Sequence, residues 1–136
     1  MLEFQFETLG QSQKSAEELA KQLKLGDVVA LVGDLGAGKT TFTQFLAAAL
    51  GVSKKDKVLS PSYSIMNTYD LPKGRLVHID LYRVESEEAA HSLGLEEELA
   101  NPQVISVVEW GDLFPGLFPL NTKWIHLKRV HSQKTK

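Results

Sequence analysis

The chain has 136 residues, a formal net charge of −2 and 43% apolar residues, with acidic and basic side chains mixed along its length. That length suits one domain, able to bury roughly two thirds of the surface its unfolded chain exposes, and the charge balance argues against a broad basic face for nucleic acid. With no cysteine, disulfides, thiolate chemistry and cysteine-ligated zinc are excluded; no apolar run approaches the about eighteen residues of a membrane span, and the acidic, polar start is unlike a secretion signal, so a cytoplasmic protein with no membrane partner is expected.

Leu2 to Phe6 alternates with period two and reads as a strand. Gly10 ends that region, and Ser12 is the expected N-cap of a helix carrying Ala16, Leu19, Ala20 and Leu23 on one face. Leu25-Gly26-Asp27 is a turn. Val28 to Val32 is apolar on both faces, as a central parallel strand covered by helices requires.

Next comes Gly33-Asp34-Leu35-Gly36-Ala37-Gly38-Lys39-Thr40-Thr41, the pattern G-x-x-x-x-G-K-T between a strand and a helix. This is a phosphate-binding loop. Its three glycines let successive backbone N–H groups turn toward an anion, and the helix opening near Lys39 adds the positive end of its dipole. Lys39 supplies a point charge for the terminal phosphates, and the Thr40 hydroxyl is placed for magnesium. The expected ligand is a nucleoside triphosphate with Mg2+, bound by residues 33 to 41.

In the following helix Phe42, Phe45, Leu46, Ala49 and Leu50 define the packing face, and Gly51 is its C-cap. Ser53 to Lys57 is a charged connection. Pro61 places a bend in Val58 to Ile65, with Ser60 and Ser62 in a loop that either faces the terminal phosphate or is an ordinary turn. Tyr63 to Tyr69 and Arg75 to Leu81 form an antiparallel hairpin around Leu71 to Gly74, with Val77, Ile79 and Leu81 on one face and Leu76, His78 and Asp80 on the other. A short helix capped by Ser86 runs to Gly94, and a second turn occupies Leu95 to Leu99. Val104 to Val108 is a buried strand ending in Glu109. Phe114 to Pro119 is an apolar loop broken by prolines, Lys123 to Val130 is a last edge strand expected to be antiparallel, and residues 131–136 are a frayed tail. The division is one phosphate-loop domain over residues 1–130 plus that tail.

A phosphate loop needs a carboxylate at a strand end to hold magnesium or its shell water. Glu109 ends the buried strand and is either a metal ligand with Thr40 or a salt-bridged strand-end residue; Asp80 either orients the attacking water or accepts its proton, or is likewise structural. Tyr82, Arg83 and Trp110 are either packing residues or contacts of the site.

The ordered set G-D-L-G-A-G-K-T-T-F from Gly33 to Phe42, Ser60-Pro61-Ser62-Tyr63, His78-Ile79-Asp80-Leu81-Tyr82-Arg83, Gly94 and Glu109-Trp110 resembles the TsaE (YjeE) family over nearly the whole chain. Ser62 stands where that family usually has threonine, and Gly111 where it usually has proline. The resemblance implies an α/β P-loop nucleoside triphosphate hydrolase fold, with a mainly parallel central sheet, antiparallel additions and helices on both faces. It implies slow ATP hydrolysis that supports synthesis of N6-threonylcarbamoyladenosine at tRNA position 37, together with TsaD and TsaB. It also implies Lys39 and Asp80 at the hydrolytic centre, Thr40 and Glu109 at Mg2+, Ser62 at the nucleotide, and Thr8 and Ser15 as candidates beside adenine.

Three other readings share the phosphate loop. A small-molecule kinase is opposed by the scarcity of arginines, Arg75, Arg83 and Arg129. A GTP switch is opposed by Asn67-Thr68-Tyr69-Asp70, which lacks the lysine of a guanine-reading N-K-x-D segment. A nucleotide-stabilised interaction module differs from the ATPase only in whether turnover is needed.

Overall fold

Because Val28–Val32 is apolar at every position, it needs neighbours on both edges and cover on both faces, and the structure, a computed structural model, supplies all of these. It describes residues 2–6, 8–33, 38–58 and 65–129. In chain order these form β1 (Leu2–Phe6), α1 (Leu9–Ala20), β2 (Val28–Val32), α2 (Lys39–Leu50), β3 (Met66–Asp70), β4 (Arg75–Asp80), α3 (Glu87–Ser92), α4 (Leu95–Leu99), β5 (Val104–Glu109), two 3-10 turns (Gly111–Leu113 and Pro115–Leu117) and β6 (Lys123–Arg129).

The six strands make one sheet in the order β1-β6-β2-β5-β4-β3. Only β3 runs antiparallel, against β4; every other pairing is parallel. The C-terminal ends of β2, β4 and β5 therefore lie along one edge of the sheet, where open α/β sheets bind ligands.

Alternation along the strands divides the core into two layers. Leu76 of β4, Ile105 and Val107 of β5, Val29 and Leu31 of β2, and Ile125 and Leu127 of β6 pack with Ala16 and Leu19 of α1 and Phe42 and Leu46 of α2. On the other face Val77, Ile79, Val104, Val108 and Val28 pack with Ala90, Leu95, Leu99 and Leu117. On α2 the buried face is Phe42, Thr43, Leu46 and Ala47; Ala49, expected inside, is exposed. Gly51 ends the helix in the left-handed region at φ 108°, where a side chain would be strained.

Two expectations are corrected. The first helix starts at Leu9 and is capped by Thr8, whose hydroxyl accepts the Gln11 N–H at 3.2 Å. Ser12 lies inside the helix, buried, and Gly10 sits in its first turn instead of ending the preceding region. The last strand, β6, is interior and parallel, held between β1 and β2. Its alternation of Ile125 and Leu127 with polar residues imitates an edge strand because only its α1/α2 face is fully covered by core. The parallel direction follows from residues 110–122, which cross over β2 before β6 begins. Gly111 allows that crossing: a Cβ there would lie 3.1 Å from the Ala30 Cβ and 2.9 Å from the Phe118 ring.

The strand expected over Tyr63 to Tyr69 is observed from Met66, and Tyr63 falls outside the described residues, as does the tail at 131–136. No helix among the described residues is long and apolar enough to cross a membrane.

The helix start gives a direct test. Thr8→Ala removes a capping acceptor and should lower stability by about 1 kcal/mol. Ser12→Ala removes a buried hydroxyl with no hydrogen-bond partner among the described residues and should be neutral or stabilising. Urea unfolding without nucleotide measures both, and the reverse ranking would move the cap to Ser12.

Candidate nucleotide site

The site is built where β2 passes into α2. Gly38 caps α2 in the left-handed region at φ 89° and has no side chain to occupy the first-turn N–H groups. The helix therefore opens with its positive end and its donors directed out of the fold. Thr43 secures the first turn, its hydroxyl donating to the Lys39 carbonyl at 2.8 Å.

Lys39 is only 6% exposed. Its Nζ donates to the Gly33 carbonyl at 2.5 Å and lies 3.9 Å from the centroid of the Trp110 ring, well within cation–π range. Trp110 is the one non-glycine residue with positive φ among the described residues, at 63°. That backbone turns the chain directly after β5, and the indole covers the lysine. The indole ring also meets the Tyr82 ring, the centroids 5.0 Å apart, and Tyr82 is exposed.

Glu109 ends β5 and is 3% exposed. A buried carboxylate is costly unless partnered, and two elements supply partners. The Thr40 hydroxyl of α2 stands 3.2 Å from both carboxylate oxygens, and Nε2 of His78 on β4 stands 2.5 Å from Oε2. His78 is fully buried. Asp80 of β4 lies in register with Glu109, so both acids project toward the α2 face of adjacent parallel strands about 4.8 Å apart. Asp80 Oδ1 accepts the Tyr82 N–H at 2.9 Å, which bends the chain away after β4.

The structure thus brings together Gly33, Gly38, Lys39, Thr40, Asp80 and Glu109, with Thr41 in the same first turn of α2. Asp34, Leu35, Gly36, Ala37, Ser60 and Ser62 lie outside the described residues. Thr8 is engaged as a helix cap, and Ser15 lines a surface hollow of about 400 Å³ with Gln5, Gln11, Lys14 and Glu18. Of the two readings open for Trp110, packing residue or site contact, its place over Lys39 favours the second. His78 has no site role in the sequence reading, and its one available signal is its position two residues before Asp80 on the same strand face.

Among the described residues no group of three or more His, Cys, Asp or Glu side chains is arranged to hold a metal ion. The convergent Thr40 hydroxyl and Glu109 carboxylate instead suit a hard cation that keeps most of its shell as water and phosphate oxygens, as Mg2+ does.

A profile of the family described as threonylcarbamoyl adenosine biosynthesis protein TsaE matches residues 6–136. The chain belongs to the TsaE family. A TsaE protein of Aquifex aeolicus is 44% identical over 97 residues, 71% of this chain and 67% of that one. One from Rickettsia bellii is 32% identical over 124 residues, 91% of this chain and 84% of its own. The crystal structure of Bacillus subtilis YdiB superposes with a TM-score of 0.74 at 32% identity, covering 93% of this chain and 76% of that one. Its likeness bears out the mostly parallel sheet flanked by helices.

The lysine–indole contact is measurable. Trp124→Phe leaves Trp110 as the single tryptophan, since the chain has two. ATP should change its emission saturably as the phosphates draw Lys39 off the ring face, and the change should vanish in Trp124→Phe/Lys39→Met. Constant emission at nucleotide concentrations that calorimetry shows to be saturating would contradict the contact.

Proposed function

We propose that residues 33 to 41 hold the phosphates of ATP, that Thr40 and Glu109 hold Mg2+, and that Asp80 positions the water that cleaves the terminal phosphate. The convergence of the Thr40 hydroxyl and the buried Glu109 carboxylate beside Lys39, at the N-terminus of α2, supports this reading.

Family membership makes the chain a P-loop ATPase with an ATP-dependent role in tRNA threonylcarbamoyladenosine biosynthesis. The small-molecule kinase reading gives way to it. The finer assignment is that ATP turnover supports modification of tRNA position 37 in the cytoplasm, with TsaD and TsaB as partners.

Each residue has a definable task. Backbone N–H groups of the loop and helix start bind phosphate oxygens. Lys39 exchanges the Gly33 carbonyl and the indole for phosphate, bringing its charge to the oxygens that become more negative during cleavage. Bound Mg2+ neutralises phosphate charge and draws the terminal phosphates into one orientation. Thr40 and Glu109 turn their oxygens toward it from α2 and β5. Asp80, one strand further, accepts a hydrogen bond from water and orients it in line. Ser62 contributes a hydroxyl when its loop meets the terminal phosphate, and Thr8 and Ser15 border the adenine.

The test separates these tasks. Lys39→Ala should weaken ATP binding at least about tenfold, because it removes the charged ligand, with a small loss of thermal stability without nucleotide from the lost Gly33 and Trp110 contacts. Glu109→Gln should remove most of the Mg2+ enhancement of nucleotide affinity, a neutral amide being a poor ligand for a hard cation. Asp80→Asn should slow single-turnover hydrolysis about 100-fold with binding nearly intact. Calorimetry with and without Mg2+, and rapid-quench hydrolysis, read these directly; equal ATP affinity in Lys39→Ala would sink the assignment.

A further inference from the structure

Glu109 is held by two donors of different character. The Thr40 hydroxyl lies in the first turn of α2, at the nucleotide itself. His78 sits one strand away in the floor of the site, fully buried on β4 and 2.5 Å from Glu109 Oε2. An ionised carboxylate only accepts hydrogen bonds, so Nε2 is the donor. The other ring nitrogen, Nδ1, is buried with no hydrogen-bond partner among the described residues.

An unpaired buried nitrogen carries a cost that a leucine of similar volume would not. A residue chosen only to fill this layer would be apolar, as its strand neighbours on the same face are: Leu76 on β4, and Ile105 and Val107 on β5. The histidine thus sacrifices packing economy for one directed donor. Its Nε2–H fixes the rotation of the Glu109 carboxylate and occupies one lone-pair direction of Oε2. The remaining oxygen positions are left directed toward Thr40 in the first turn of α2.

We propose that His78 is the positioning residue for Glu109: it locks the carboxylate in the orientation that receives Mg2+ with the nucleotide, without touching either. This rests on the reading of Glu109 as the metal-holding acid. A donor behind a metal-binding carboxylate typically matters by 10- to 100-fold in metal affinity. The substrate class is unchanged; what His78 sets is how strongly magnesium strengthens nucleotide binding.

The experiment uses the full chain and ADP or a non-hydrolysable ATP analogue, titrated by calorimetry in EDTA and at increasing Mg2+. His78→Leu should leave affinity in EDTA within about twofold, because the phosphate loop is untouched, and raise the Mg2+ concentration needed for half-maximal enhancement about tenfold or more. His78→Gln reaches the Nε2 position with an amide N–H and should restore most of the effect, whereas His78→Asn is too short and should not. Thermal melts without nucleotide accompany each variant, and the Gln–Asn comparison keeps the test decisive if the leucine variant does not fold.

Parallel titration of Glu109→Gln separates the two ideas. If Glu109→Gln leaves the Mg2+ dependence unchanged, the metal assignment of Glu109 fails and this proposal falls with it. If Glu109→Gln abolishes the dependence while His78→Leu and His78→Asn behave as the parent chain, the metal assignment stands and the positioning role is overturned. Equal losses in the Gln and Asn variants would also overturn it, since the donor would then be irrelevant.

Discussion

One buried carboxylate ties the site together. Glu109 cannot be taken out of water at the end of β5 without donors, and those donors come from two other elements: Thr40 at the start of α2 and His78 within β4. Satisfying the acid therefore fixes where the helix begins relative to the sheet and holds β4 and β5 in the register that sets Asp80 beside it. Removing one partner from such a buried group costs on the order of 3–5 kcal/mol when it leaves the charge uncompensated. Geometry at the start of α2 is thus coupled to core packing within β4.

The same end of the sheet is arranged so that its cationic group is sheltered before nucleotide arrives. Lys39 rests between the Gly33 carbonyl and the Trp110 face, and the Trp110 backbone occupies a region that non-glycine residues rarely adopt. Strain of this kind persists where surrounding structure imposes it, and it clusters at working sites. Here the imposing structure is the tight crossing of residues 110–122 over β2, which leaves no space for a Cβ at Gly111. Tyr82, packed on the indole and exposed outward, gives the lysine a short physical connection to the molecular surface.

Much of this was legible in the residues alone. The phosphate loop announced itself because strand, glycines, lysine and helix occur in the order anion binding requires. Glu109 and Asp80 were readable as strand-end acids, since both close apolar runs. The hairpin, the caps at Ser86 and Gly51, and the two faces of β4 followed from local chemistry. Errors arose where a local pattern has two solutions. Thr8 and Ser12 are both hydroxyl residues ahead of a helical stripe, and only packing shows that Ser12 is inside. β6 alternates like an edge strand although it has neighbours on both sides, because pairing partners far along the chain leave no trace in a seven-residue window. Gly111 looked like an ordinary loop glycine until its contact with Ala30 was visible. His78 escaped because its partner is distant in sequence and meets it only through the parallel pairing of β4 and β5.

Lys39, Thr40 and Glu109 must change partners when nucleotide is present. The most direct measurement is a crystal structure of this chain with a non-hydrolysable ATP analogue and Mg2+. The account predicts Lys39 Nζ transferred from the Gly33 carbonyl to a terminal phosphate oxygen. It also predicts the Thr40 hydroxyl at about 2.1 Å from the ion, with a Glu109 oxygen bound to the ion or to one of its waters and His78 Nε2 still donating from behind. A nucleotide seated away from the N-terminus of α2, or an ion bound with Glu109 turned away from its coordination shell, would contradict it.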